Sequence, residues 1–227
     1  MLNVHPLAAA LTAATLLVSP ALFAAPVPAA NLCPATPPPQ PAAWVAHIEA
    51  VNRGLGIPPD YAAKHHLRVE PEARDLVQVP RDVYGRKQEM VAPAAAALKR
   101  MFAAAARDGI NLETVSGFRS MAYQAHLVRE KLKRGMTIQH ALQINAVPGY
   151  SEHQTGCAMD ISTPGFPAAD TVFDKSKAFA WLQQHAAQFG FHMSFPPGNP
   201  YGYEYEPWHW RYIEGTASVA AVPHRRR

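Results

Sequence analysis

Residues Ser151–Asp160 read SEHQTGCAMD, and Ile161 and Ser162 follow. The run CAMDIS is short, largely apolar and contains the β-branched Ile161, which predicts a buried strand. Side chains alternate along a strand, so Ala158 and Asp160 share one face while Cys157 and Met159 belong to the other. Gly156, just before the strand, permits a tight turn that returns His153 toward the Asp160 face. A histidine and a carboxylate would then meet at one point, as a shared metal ion requires. Taken alone, the pair is weak evidence and is far more often what a surface turn contains, in a chain with 11 histidines.

Working outward, APAAAALKRMFAAAARDG predicts a helix over about Met90–Arg107, with Pro93 in its first turn and Gly109 past its end. Ile110–Val115 alternates as a short strand. SGFRSMAYQAHLVREKLKRG opens on a glycine turn, offers Ser120 as N-cap and ends its helix near Gly135, which puts Arg119 at a strand-to-helix junction. TIQHALQINA predicts a short helix, KSKAFAWLQQHAAQFG a helix closed by Gly190, and FHMSF and WHWRYI two further strands. Trp44–Val51 is a short apolar-periodic piece, and LVQVP is extended. Helices mixed with short strands point to an α+β fold in one domain, with a central, mostly antiparallel sheet flanked by helices.

The 227 residues are 48% hydrophobic and 17% charged, the composition of a globular protein. Leu7–Ala25, LAAALTAATLLVSPALFAA, is apolar, broken by Pro20 and rich in small residues at its end, so residues 1–25 are expected to be a signal peptide, with an uncleaved anchor as the alternative. Export to the periplasm or cell envelope follows, without a stable membrane span in the mature protein. PVPAANLCPATPPPQP predicts a Pro-rich linker over residues 26–43, leaving 44–215 as the folded domain and 216–227 as a basic tail. Two cysteines, Cys33 and Cys157, make no disulfide framework, although a single bridge between them is open. The net charge of +4 lacks a basic stripe interleaved with aromatics, so nucleic acid is not an expected partner. Weak attraction to an anionic wall polymer suits it better, and a monomer is expected.

YEYEPWHWRY, residues 203–212, brings a further histidine and carboxylate. Pro207 suits the entry to a strand, so Glu206 belongs to the incoming loop and His209 to the strand itself. From there the two can converge on one ion from different directions. Hydrolytic zinc sites use three His or carboxylate ligands and leave one position open, and a nearby unbound carboxylate can act as general base. His153, Asp160 and His209 fit the first description and Glu206 the second. The alternative is a solvated Glu206, with His209 packed between Trp208 and Trp210. Arg119, near the positive end of a helix, wants an anionic partner, either a substrate or a carboxylate of the protein.

SGFRS with Tyr123 and Gln124 following, then SEHQTGCAMD, then EPWHW, in this order, resembles the VanY-type D-alanyl-D-alanine carboxypeptidases, zinc peptidases of bacterial cell-wall metabolism. The resemblance spans about Val79–Tyr212. It implies the hedgehog/D-Ala-D-Ala peptidase-like fold, one zinc ion on His153, Asp160 and His209, and Glu206 as catalytic base. It also implies that Arg119 meets the substrate and its developing charge, and that Gln124 and Ser151 help to hold a terminal D-alanine carboxylate. The partner would be a peptidoglycan stem peptide ending in D-Ala-D-Ala, from which one D-alanine is removed. Related D,D-dipeptidase, L,D-carboxypeptidase or endopeptidase activity, or a non-catalytic wall-binding module, are the alternatives. Cys157 and Met159 stand where the motif leads one to expect aliphatic residues; a Cys157 thiol near the ion would compete as a soft ligand unless buried on the opposite face. His126, His140, His185 and His192 match no motif position and are expected outside the site.

Overall fold

The computed structural model describes residues 32–217. The expected signal peptide, the linker up to residue 31 and the tail from residue 218 lie outside the described residues. Six helices and six strands follow among the described residues: α1 (Ala42–Gly54), α2 (Tyr61–Lys64), β1 (Leu76–Val79), β2 (Gln88–Val91), α3 (Ala92–Arg107), β3 (Glu113–Ser116), α4 (Met121–Lys133), α5 (Ile138–Gln143), β4 (Ala158–Ser162), α6 (Lys177–His185), β5 (Phe191–Met193) and β6 (His209–Tyr212). Short 3-10 turns precede β4 (Glu152–Thr155), precede α6 (Thr171–Lys175) and follow it (Ala186–Phe189). The expected α+β architecture is present. Strands β1 and β2 form an antiparallel pair, and the remaining four make an antiparallel sheet in the order β3-β4-β6-β5.

Local chemistry accounts for the helices. In α3, Ala94, Ala97, Leu98, Met101 and Ala105 are buried at three- and four-residue spacing, so one stripe faces the sheet. Ser120 caps α4 by accepting from the Tyr123 amide at 3.1 Å, and Ser176 caps α6 by accepting from Phe179 at 2.9 Å. Helix α1 starts at Ala42, two residues before the apolar pattern begins.

The central strands β4 and β6 are buried along their whole length, and their alternation sorts the residues into two faces. Met159, Ile161, Trp210 and Tyr212 enter the main core with α3 and α6. Asp160, His209 and Arg211 take the opposite face. A second apolar cluster, including Leu55, Ala125, Val128, Leu142 and Val147, joins α1, α4 and α5. A strand of aromatics can therefore hold two polar side chains without exposing either.

Cys33 and Cys157 form a disulfide, and Cys33 is fully buried in the main core. Cys157 lies on the core side, away from Asp160, and as a disulfide sulfur it offers no thiolate to a metal. The Pro-rich composition of residues 26–43 predicts a spacer, yet its described part from Leu32 is tied to the domain. Proline density disfavours regular structure, but it does not prevent one cysteine from anchoring an extended segment.

Candidate active site

The register of the sheet makes Asp160 and His209 direct cross-strand partners, which fixes two polar side chains side by side. His153 arrives from the 3-10 turn Glu152–Thr155. Gly156 ends that turn with φ +67°, and a Cβ there would meet Leu76 Cδ2 at 2.9 Å and the Val91 amide nitrogen at 3.1 Å. Only glycine accepts this conformation and this contact together. The structure thus brings His153 back to the Asp160 face.

His153 Nε2, His209 Nδ1 and Asp160 Oδ1 form a nearly equilateral triangle with edges of 3.1, 3.1 and 3.2 Å. A tetrahedral ion with His and carboxylate bonds near 2.0–2.1 Å sets its ligand atoms roughly 3.3–3.4 Å apart, so the three donors fit such an ion with a slight expansion. The tautomers suit it as well. His153 Nδ1 donates to the Gly117 carbonyl at 2.7 Å, which leaves the Nε2 lone pair facing the triangle. His209 Nε2 donates to Glu152 Oε2 at 2.8 Å, which does the same for Nδ1. Gly117 itself is crowded, since a Cβ there would lie 2.6 Å from the Glu89 carbonyl oxygen, so the carbonyl that receives His153 is set by tight backbone packing.

Electrostatics separate the roles. Burial, helped by the Arg119 cation, pulls the His153 pKa down to about 4, so this imidazole is neutral at pH 7. Burial acts against the charge on His209 too, but hydrogen bonds with Asp160 and Glu152 outweigh it and raise its pKa to about 10. A metal ion would replace the proton so held. Burial also works against ionised Asp160, and the neighbouring histidines and Arg119 overcome it, holding the carboxyl below the usual range. Glu206 stands differently: its Oε2 lies 3.8 Å from His209 Nδ1, beside the triangle but not a corner of it. Burial is the main cause that raises its pKa to about 7, with the negative charges of Asp160 and Glu152 adding to it. A carboxylate with that pKa can both take and return a proton near neutrality.

A cavity of about 490 Å³ opens over this group and is lined by all seven residues singled out in the sequence: Arg119, Gln124, Ser151, His153, Asp160, Glu206 and His209. Arg119 lies at the start of α4, its amide donating to the His153 carbonyl at 3.2 Å and its Nη1 standing 3.8 Å from Asp160 Oδ2. The helix start finds its own anion in Glu72, which accepts from the Met121 amide at 2.6 Å. Gln124 donates to the Ala146 carbonyl at 2.9 Å, while its Oε1 and the Ser151 hydroxyl are buried without a hydrogen-bond partner. His126, His140, His185 and His192 lie outside the cavity, and the first two are exposed.

Reading the sequence missed Glu152, which touches His209, and Arg211, which in turn donates to Glu152 Oε1 at 2.9 Å. Two signals were available. Glu152 directly precedes His153, and Arg211 follows His209 by two residues, which puts it on the same strand face.

Fold and site together define an α+β domain with a buried His–Asp–His cluster whose donor atoms could hold a metal ion. The chain belongs to the VanY family of D-alanyl-D-alanine carboxypeptidases, whose family model matches residues 87–215. It is similar to the carboxypeptidase-named YodJ of Bacillus subtilis, 40% identical over 130 residues that make up 55% of this chain and 46% of that protein. Among solved structures it is similar to the LdcB LD-carboxypeptidase (34% identity, TM-score 0.58, covering 65% of this chain and 74% of that one). It is also similar to VanYB in complex with D-alanine-D-alanine (29% identity, TM-score 0.51, covering 65% and 83%). The chain spans about half the length of the curated relatives it matches.

Proposed function

We propose that this protein is an exported, zinc-dependent D,D-carboxypeptidase that removes the terminal D-alanine from peptidoglycan stem peptides ending in D-Ala-D-Ala. The observation that carries the reading is the near-equilateral donor triangle of His153, Asp160 and His209, with Glu206 beside it and outside it. Such a set holds one ion through three ligands and keeps an acid–base group within reach of the fourth position. When bound there, zinc would polarise the scissile carbonyl and lower the pKa of an attacking water to about 7.

The chain's own residues do the rest. Glu206 takes a proton from the attacking water and returns it to the leaving amine, a cycle suited to a pKa of about 7. Arg119 steadies the negative charge that develops on the carbonyl oxygen. Ser151 Oγ and Gln124 Oε1 are buried and without protein partners: the Ser151 hydroxyl can donate to a terminal carboxylate that also pairs with Arg119, and Gln124 Oε1 can accept from an N–H of the substrate. Such a substrate resides in the cell envelope, in keeping with Leu7–Ala25 as an export signal. No helix among the described residues is long and apolar enough to cross a membrane.

The likeness to the LdcB LD-carboxypeptidase favours a second reading, in which the same machinery cuts a D-alanine attached to an L-centre. Mass spectrometry separates the two. The zinc-loaded protein, beside a chelated control, is incubated with a pentapeptide ending in D-Ala-D-Ala and with the tetrapeptide one alanine shorter. Zinc-dependent loss of one alanine from the pentapeptide alone supports the D,D reading, whereas trimming of the tetrapeptide alone transfers the chemistry to the L,D bond. Both peptides intact, with zinc occupancy confirmed, would overturn peptide trimming altogether.

A further inference from the structure

Arg211 is a buried cation, 6% exposed, that no step of the proposed reaction uses. Its guanidinium meets three separate segments. Nη1 donates to Glu152 Oε1 at 2.9 Å and to Glu70 Oε1 at 3.2 Å, and Nη2 donates to the Pro34 carbonyl at 3.1 Å. Glu152 passes the constraint onward, because its other oxygen, Oε2, accepts from His209 Nε2 at 2.8 Å and from the Ser194 hydroxyl at 2.6 Å. Pro34 is itself fixed. Next to it, Cys33 is bonded to Cys157, its carbonyl accepts from the Glu214 amide at 2.9 Å, and the Leu32 amide donates to Glu214 Oε2 at 3.1 Å.

We propose that Arg211 is a positioning residue for the metal site, and that it and the disulfide-pinned strap Leu32–Pro34 together aim His209 through Glu152. A carboxylate hydrogen-bonded to one imidazole nitrogen decides which way the ring turns and which nitrogen keeps its lone pair. A carboxylate with a single anchor could swing about its side-chain torsions; Glu152 is gripped at both oxygens. Arg211 can grip it because a planar fork reaches several acceptors at fixed angles, a task a lysine's single ammonium does not match. The strap supplies the acceptor on the far side of the fork, so that Nη2 is held by backbone while Nη1 faces the two carboxylates. A segment that composition marks as a spacer is therefore part of the support of the site, 124 residues away in sequence from the cysteine that holds it.

This inference rests on the metal-site reading, and the test separates the failure of one from the failure of the other. Arg211→Lys, Arg211→Met and the Cys33→Ala/Cys157→Ala double variant are compared with the unaltered protein, each checked for folding by circular dichroism. The first readout is zinc affinity by competition with a chromophoric chelator. The second, on metal-free protein, is the ¹⁵N NMR signature of the His209 ring, which reports the Nε2–H bond to Glu152 whether or not zinc binds. Loss of about 10- to 100-fold in zinc affinity, the usual size for a partner of a ligand, with a displaced His209 signal in Arg211→Met, is the expected result. The Cys33→Ala/Cys157→Ala double variant shifts both readouts the same way, and Arg211→Lys falls between.

If Arg211→Met does not fold, the double variant, which leaves Arg211 in place, carries the test. Variants that lose thermal stability but keep zinc affinity and the His209 signal make the network merely structural and overturn the proposal. An unaltered protein that binds no zinc removes the metal reading, and the His209 signal still decides whether Arg211 positions the ring.

Discussion

Glu206 and His209 are three residues apart, yet one stands in the loop before β6 and the other within it, which is why they can approach one point without sharing a strand face. At pH 7 the difference between them is chemical. His209 is held by two carboxylates, whereas Glu206 is raised by burial into the range where a proton is readily exchanged. Glu206→Gln keeps the shape and removes the proposed base. It is expected to lower kcat by about 10²–10⁴-fold with zinc affinity unchanged, as measured by single-turnover kinetics and chelator competition; unaltered turnover would exclude Glu206 as the base. Arg119→Ala is expected to lower kcat/KM by about 10²–10³-fold on peptides with a free terminal carboxylate. Comparing that loss with the loss on the C-terminal amide of the same peptide separates the two uses of the guanidinium: an equal loss on both assigns it to the developing oxyanion, and a smaller loss on the amide assigns it to the carboxylate.

At the scale of elements, the site is made by two structures that meet. The antiparallel pair β4 and β6 supplies Asp160 and His209 in fixed register, and the 3-10 turn supplies His153. Gly156 joins them. Gly156→Ala forces a side chain into a left-handed backbone and against Leu76 and Val91, so about 1–3 kcal/mol of stability is expected to be lost. Chemical denaturation measures that loss. Because the same turn carries His153, zinc affinity should fall along with stability, and an alanine variant that keeps both would show that the turn tolerates another conformation. Most helices and strands were legible from residue pattern because their causes are local: Ser120 caps, alanines propagate α3, an apolar run marks β4 and aromatics mark β6. The pair β1–β2 was half seen, since LVQVP reads as extended but nothing local in QEMV names its partner.

For the whole molecule, zinc that binds only the folded chain must stabilise it. With zinc at about 100 times its dissociation constant the gain is about 2.7 kcal/mol, or a rise in Tm of roughly 5–10 °C for a domain of this size. Chelation is therefore expected to lower Tm by that amount in scanning calorimetry, and an unchanged Tm would mean that the donor triangle holds no zinc. The sequence by itself determined the α+β class, most elements, the family and seven of the residues around the cavity, because motif residues and periodicities are properties of neighbours along the chain. Only the tertiary structure decided that His153 Nε2, Asp160 Oδ1 and His209 Nδ1 stand 3.1–3.2 Å apart, and that Cys33 pairs with Cys157. It alone decided that Glu152 and Arg211 hold the histidine in place. Apart from His153 and Asp160, which are near in the chain, those contacts join residues 49 to 124 apart, and such distances are closed by the packing of the core and the register of the sheet, which no local pattern encodes.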